Sequence, residues 1–301
     1  MTPRQALTLA HAAVTAWIDD RAASMGAALA YYTLFSLAPL LLIVISVAGL
    51  IFGRDAVRGE IFAQLQGLIG PPGAAAVQEL LQSVNHPAGG IVGTLVGLLL
   101  MLVGATSVFA ELQNTLDHIW RAPRENGPTP GFIGLWRLLR ARVLSFGLIL
   151  GIGFLLIVSL LLSAAVAGLQ RWWSPLFGGW EGVITAVNLG SSFALTTTMF
   201  AMIYKIMPRV RIHWSDVWVG AIVTAALFTV GRWGIGLYLG MGTVASGFGA
   251  AGSLVVVLVW VYYSAQIFLL GAEFTWVYAH TLGSRRNKPQ ALPVMAPRPT
   301  P

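Results

Sequence analysis

The stretch "ALAYYTLFSLAPLLLIVISVAGLIF", Ala28–Phe52, sets the class of fold. It carries no charged residue over a length that exceeds the ~20 apolar residues a helix needs to cross a hydrocarbon core of about 30 Å. Its apolar character is continuous rather than alternating, so a helix fits it and a barrel strand does not. The whole chain agrees: 56% of its 301 residues are hydrophobic and 10% are charged, against about 25% charged in an ordinary soluble domain. We therefore expect an all-α, polytopic membrane helix bundle.

The apolar run begins near Ala22 and reads as a retained helix rather than a cleaved leader, whose core spans only about 7 to 15 residues. Further runs predict six transmembrane helices, at about 24–52, 91–111, 142–167, 183–205, 216–239 and 250–278. Before the first, residues 4–19 set Leu7, Ala10, Val14, Trp17 and Ile18 at helical spacing, which predicts an interfacial helix. Residues 54–90 predict an outer amphipathic loop of two short helices around a Pro71–Pro72 break, with Val57, Ile61, Leu65 and Leu68 on one face and Val77, Leu80, Leu81 and Val84 on another. We expect residues 1–282 to form a single domain and 283–301, basic and proline-rich, to be a disordered cytoplasmic tail.

An even number of spans places both termini on one side, and basic residues choose which. Fourteen of the eighteen Lys and Arg fall in the amino-terminal segment, the second and fourth loops and the tail, leaving Arg54, Arg58 and Arg171 opposite and Arg232 inside a span. The positive-inside rule then predicts cytoplasmic termini in a bacterial inner membrane. The net charge of +7 is thus a topology signal, and we expect no nucleic-acid partner. Cysteine is absent, which excludes disulfides, thiolate catalysis and cysteine-held metal sites.

Polar residues inside the spans mark the candidate site. On the first span Tyr32, Ser36, Pro39 and Ser46 share an arc of about 80° at 100° per residue. Pro39 cannot donate to the carbonyl of Phe35, so a kink is expected there. On the last span Tyr262, Gln266 and Glu273 again share a face, and Asn188 and Ser192 sit one turn apart on the fourth. Two readings stay open: interhelical hydrogen bonding, at about 0.6 kcal/mol per contact, or the lining of a polar path. Arg232 is costly in a span unless it snorkels or pairs. Asp216, sixteen residues before it, puts it in the outer third. Glu273 lies at a different depth, so we expect it to pair with Lys205 or a neighbouring cytoplasmic base rather than with Arg232. Small residues four apart, as in Gly236/Gly240, allow close helix approach.

Metal chemistry has thin support. Glu111, Asp117 and His118, or His213 and Asp216, supply no third ligand at a recognised spacing. No phosphate loop, dinucleotide fingerprint or serine elbow is present. We expect no enzyme activity, no catalytic residue, no metal and no cofactor.

Four stretches together resemble the YihY/BrkB family of bacterial inner-membrane proteins: "AALAYYTLFSLAPLLL" from Ala27, "LQNTLDHIW" from Leu112, "DVWVGAIVTAALF" from Asp216 and "FGAAGSLVVVLVWVYYSAQIFLLGAEF" from Phe248. The resemblance covers roughly residues 20–280. It implies Tyr32, Ser36, Pro39, Gly220, Ala221, Gly249, Trp260, Tyr262, Gly271, Ala272 and Glu273 as the family's marked positions. Two departures stand out: Phe248 precedes Gly249 where the family often has tyrosine, and Asp117 stands where asparagine is common. The resemblance also implies a role tied to the cell envelope, with lipid or amphipath handling as an activity. A ribonuclease label once attached to the family finds no support in these residues.

The expected function is binding or translocation of an anionic lipid or other envelope amphipath. Its candidate site is Tyr32, Ser36, Pro39, Asn188, Arg232, Tyr262, Gln266 and Glu273. Membrane lipids are the expected partners, with an envelope protein and a second copy of the chain as further candidates. The alternative is a non-catalytic scaffold that docks an envelope partner.

Overall fold

The computed structural model describes residues 3–84, 107–123, 181–240 and 252–286. Among them the chain is all helix and turn, with no strand. The helices are α1 (Pro3–Asp19), α2 (Ala22–Phe52), α3 (Arg54–Val84), α4 (107–119), α5 (Glu181–Ile206), α6 (Trp214–Gly240) and α7 (Gly252–Thr281). The expected spans at 91–111 and 142–167 lie outside the described residues, save the start of α4.

Among the described residues, three helices are long and apolar enough to cross a membrane: Ala22–Ser46, Trp214–Ile235 and Leu254–Thr281. The span expected at 183–205 forms as α5, a helix of 26 residues, but does not join those three. It carries Ser191, Ser192 and Thr196 to Thr198, which dilute its apolar content. The threonines are nonetheless fitted to lipid, because Thr196, Thr197 and Thr198 each donate to a carbonyl one turn back, at 2.9, 2.8 and 2.8 Å. A hydroxyl so bonded leaves no free polar group.

α7 is the hub, packing against α1, α2, α3 and α6. Its neighbours α2 and α6 both run antiparallel to it. Gln266 reaches Ala23 in the first turn of α2, while Thr275 and Thr224 mark successive turns of the α6 seam. The main core gathers Leu116, Ile119, Tyr204, Val217, Ala221, Leu269 and Ala272, all fully buried, from α4, α5, α6 and α7.

α1 forms as expected and turns into α2 through Arg21, which takes the left-handed conformation (φ 53°). A second face, distinct from the apolar one its periodicity marks, is turned to the protein. Leu9 and Ala13 are buried, with Ala12, Ala16 and Trp17 packed beside them. Leu7, Val14 and Ile18 point outward. Small side chains let a helix approach a neighbour closely, so α1 turns its alanines to the bundle.

α3 also differs from expectation, because its backbone stays helical across Pro71–Pro72 instead of breaking into two helices. The prolines bend it nonetheless. A cavity of about 300 Å³ is lined by Arg58, Phe62 and Leu65 from one half of α3, by Ala74, Val77 and Gln82 from the other and, from α2, by Leu42 and Ile45 within one turn. On a straight helix Arg58 and Gln82 would stand about 36 Å apart, too far to share a cavity that short along α2. Two successive prolines remove two helical donors from the ladder, and the glycines on either side of them in the sequence resist bending least.

Residues 283–286, expected to open a disordered tail, are pinned to the body. The Ser284 N–H donates to Asp216 Oδ2 at 3.2 Å, and Arg285 Nη2 donates to the Arg211 carbonyl at 2.8 Å. The rest of the tail lies outside the described residues.

Candidate functional site

The seam between α6 and α7 is built by reciprocal glycine and threonine pairs. A Cβ on Gly220 would collide with Thr275, and one on Gly271 with Thr224. Thr224 Oγ1 donates to the Gly220 carbonyl at 2.8 Å, and Thr275 Oγ1 to the Gly271 carbonyl at 2.6 Å. Tyr204 of α5 closes the seam by donating to the Phe268 carbonyl at 2.7 Å, with its hydroxyl 3.0 Å from Thr224 Oγ1. The marked positions Gly220, Ala221, Gly271 and Ala272 therefore act through close helix packing: the two alanines are fully buried.

Glu273 follows directly and is 1% exposed. The Asp20 carboxyl, from the α1–α2 turn, reaches hydrogen-bonding distance of it, and the Arg121 guanidinium supplies the opposing charge. Arg121 is itself stacked over the Trp276 ring, 4.7 Å from its centre. Of the expected partners, Lys205 or a neighbouring base, it is the neighbouring base Arg121 that comes near Glu273. Lys205 Nζ instead donates to the Ile212 carbonyl and lies 5.2 Å from the centre of the Trp214 ring. Seven residues of reach within one loop cost less ordering than a contact across the bundle, so the lysine caps its own loop.

The polar stripes of α2 and α7 meet, chiefly as packing. Gln266 occupies the space that Gly26 leaves open and donates to the Ala23 carbonyl at 3.4 Å. Ser36 is fully buried and returns its hydroxyl to the Thr33 carbonyl at 3.2 Å. Pro39 is buried inside an unbroken α2. Tyr32 and Tyr262 remain partly open to the surroundings. Asn188 falls on α5, and its side chain lies outside the described residues.

Arg232 stands apart. Its neighbour Gly231 lies against Tyr263 and Ile267, which puts Glu273 six to ten residues further along α7, roughly 9 to 15 Å away. The two are not partners, as their depths predicted. Arg232 is exposed between Val230 and Trp233, at 74% and 75% exposure, and makes no ion pair among the described residues.

Three of the residues weighed for metal chemistry, Asp117, His213 and Asp216, are engaged elsewhere. Asp117 accepts the Arg209 backbone N–H at 2.8 Å and pairs with its guanidinium at 3.3 Å. Burial pushes the Asp117 carboxyl up from the ordinary range, against the lowering pull of that N–H and of the guanidinium. Asp216 holds Ser284, and His213 Nδ1 lies 2.8 Å from Ser215 Oγ. Among the described residues no group of three or more His, Asp or Glu is placed to hold a metal.

Two groups escaped the sequence reading. Asp20 and Arg121 sit where the chain reverses, and Arg121, like Arg21, has a positive φ, which composition does not announce. Arg58, Gln78 and Gln82 come together only because α3 bends; the sole signal was the "GPPG" at 70–73.

These features define a class, that of all-helical membrane proteins. The chain belongs to the family described as "Virulence factor BrkB", whose model matches residues 13–294. It is 30% identical over 266 residues to a UPF0761 membrane protein of Alkalilimnicola ehrlichii, covering 86% of this chain and 56% of that one. A UPF0761 membrane protein of Tolumonas auensis is 27% identical over 276 residues, covering 89% of this chain and 86% of the relative. Another from Stenotrophomonas maltophilia is 27% identical, with 58% of its own length covered. The chain thus spans little more than half of some of its relatives. No solved structure matches it.

Proposed function

We propose that the protein sits in the bacterial inner membrane with both termini cytoplasmic, α1 lying along the inner interface, and that it binds or moves an anionic amphipath. Arg232 carries this reading. A cation on a membrane-crossing helix, exposed, unpaired among the described residues and flanked by Trp233, is stabilised by an anionic headgroup at the level where tryptophan prefers to lie. Tyr32 and Tyr262, partly open near the α2–α7 seam, supply hydroxyls to the same amphipath, while Ser36, Pro39, Gln266 and Glu273 hold that seam together.

Native mass spectrometry of the protein released from native nanodiscs tests this. Wild type should retain a defined anionic lipid that Arg232→Ala loses. Bulk-like lipid on both proteins would reject the headgroup site and favour the scaffold reading.

A further inference from the structure

The cavity between α2 and the two halves of α3 has no role in the headgroup site at Arg232, and it is built differently. Its walls are apolar, with Phe62 and Leu65 from the first half of α3 facing Val77 from the second. Three polar side chains interrupt them: Arg58, Gln78 and Gln82. None of the three makes a hydrogen bond or ion pair among the described residues. A guanidinium with two carboxamides opposite an apolar pocket is the arrangement that receives an acid group joined to a hydrocarbon chain.

Position and size narrow the occupant. Leu42 and Ile45 lie two to three turns before the end of α2 at Phe52, and Arg58 belongs to the charged early turns of α3, so the cavity lies where an apolar wall meets a charged segment. An amphipath entering there keeps its chain against the apolar wall and its acid group at the charged segment. The volume, about 300 Å³, stands at the lower limit of small-molecule sites. It matches the volume of one chain rather than the two of a phospholipid. We infer that the bent α3 and the end of α2 form a binding site for a single-chain fatty acid, with the carboxylate on Arg58 and the chain between Phe62, Leu65 and Val77.

The test uses the full chain in nanodiscs and hexadecanoate as probe, with binding read by calorimetry and by native mass spectrometry. Hexadecanoate should bind one to one, and hexadecanol, which has the same chain without the charge, at least tenfold more weakly. Arg58→Gln, a change at an exposed side chain, should weaken hexadecanoate at least tenfold while leaving thermal stability unchanged. Ala74→Phe, which fills the cavity, should abolish binding. Arg232→Ala should leave hexadecanoate binding as it is, so the two sites stand or fall separately. No binding by wild type, equal binding by Arg58→Gln, or full competition by a two-chain anionic lipid would each overturn the assignment.

Discussion

At Gly220 the chain has no room for a methyl group. Thr275 occupies the volume a Cβ would need, and it is held there by its own hydrogen bond to the Gly271 carbonyl. Helices in lipid gain nothing from hiding apolar surface from water, so their association rests on close packing and interhelical hydrogen bonds. Gly220→Ala should therefore cost about 1–3 kcal/mol by overpacking. The expected outcome is a lower melting temperature in detergent, with part of the loss recovered when Thr275→Gly is added to the same chain. Two changes that touch each other should be non-additive in that direction. If the double variant melts no higher than Gly220→Ala alone, the seam is not held by this contact.

At the scale of elements, α4 is clasped to the loop between α5 and α6. Gln113 Nε2 donates to the Met207 carbonyl at 3.1 Å, and Asp117 takes both the backbone and the side chain of Arg209. The raised carboxyl of Asp117 carries a sign: the native protein holds the proton more tightly than the unfolded chain. Stability from this group is then greatest at acid pH and falls as pH rises from the ordinary carboxylate value, about 3.9, through the raised one. The Arg209 guanidinium, with its side chain 56% exposed, returns at most about 1 kcal/mol. Asparagine, which the resemblance suggests as the common residue here, keeps an oxygen for the Arg209 N–H and avoids the buried charge. Asp117→Asn should melt no lower than the parent at pH 7, and its advantage should vanish in acid. Melts from pH 4 to 8 read this directly; a variant less stable at pH 7 would show that the ion pair outweighs the burial.

For the molecule as a whole, α2 and α6 run alike and α7 runs against them, so the α1–α2 turn, α4, the start of α6 and the end of α7 gather at one end. The cavity and Arg58 lie towards the other. The proposal that both termini are cytoplasmic puts the first end on the cytoplasmic side, as the positive-inside rule predicts. Because the chain has no cysteine, single-cysteine variants can be labelled in spheroplasts without background. Arg286→Cys should resist an impermeant maleimide until the membrane is opened, and Ala63→Cys should react at once. The reverse pattern would invert the topology, and with it the leaflet proposed for the fatty-acid site.

How much of this was legible beforehand follows from the range of the interactions involved. Apolar length and helical period act within one helix, so the limits of α2, α6 and α7 emerge from sequence within a few residues, and so does the separation in depth between Arg232 and Glu273. α3 shows the boundary of that reading. "GPPG" announces a disturbance but not its angle, and the angle alone brings Arg58 to Gln78 and Gln82. Likewise Glu273 was visible as a buried acid, whereas its neighbours Asp20 and Arg121 are set by how α1, α4 and α7 pack. Apolar length and helical period are enough for a helical membrane protein with polar stripes on its spans, because each depends on local periodicity or on transfer into lipid. The fit of Gln266 against Gly26, the alanines of α1 set against the bundle and the amphipathic cavity at the bend of α3 belong to the tertiary fold, since each depends on which distant surfaces fit closely.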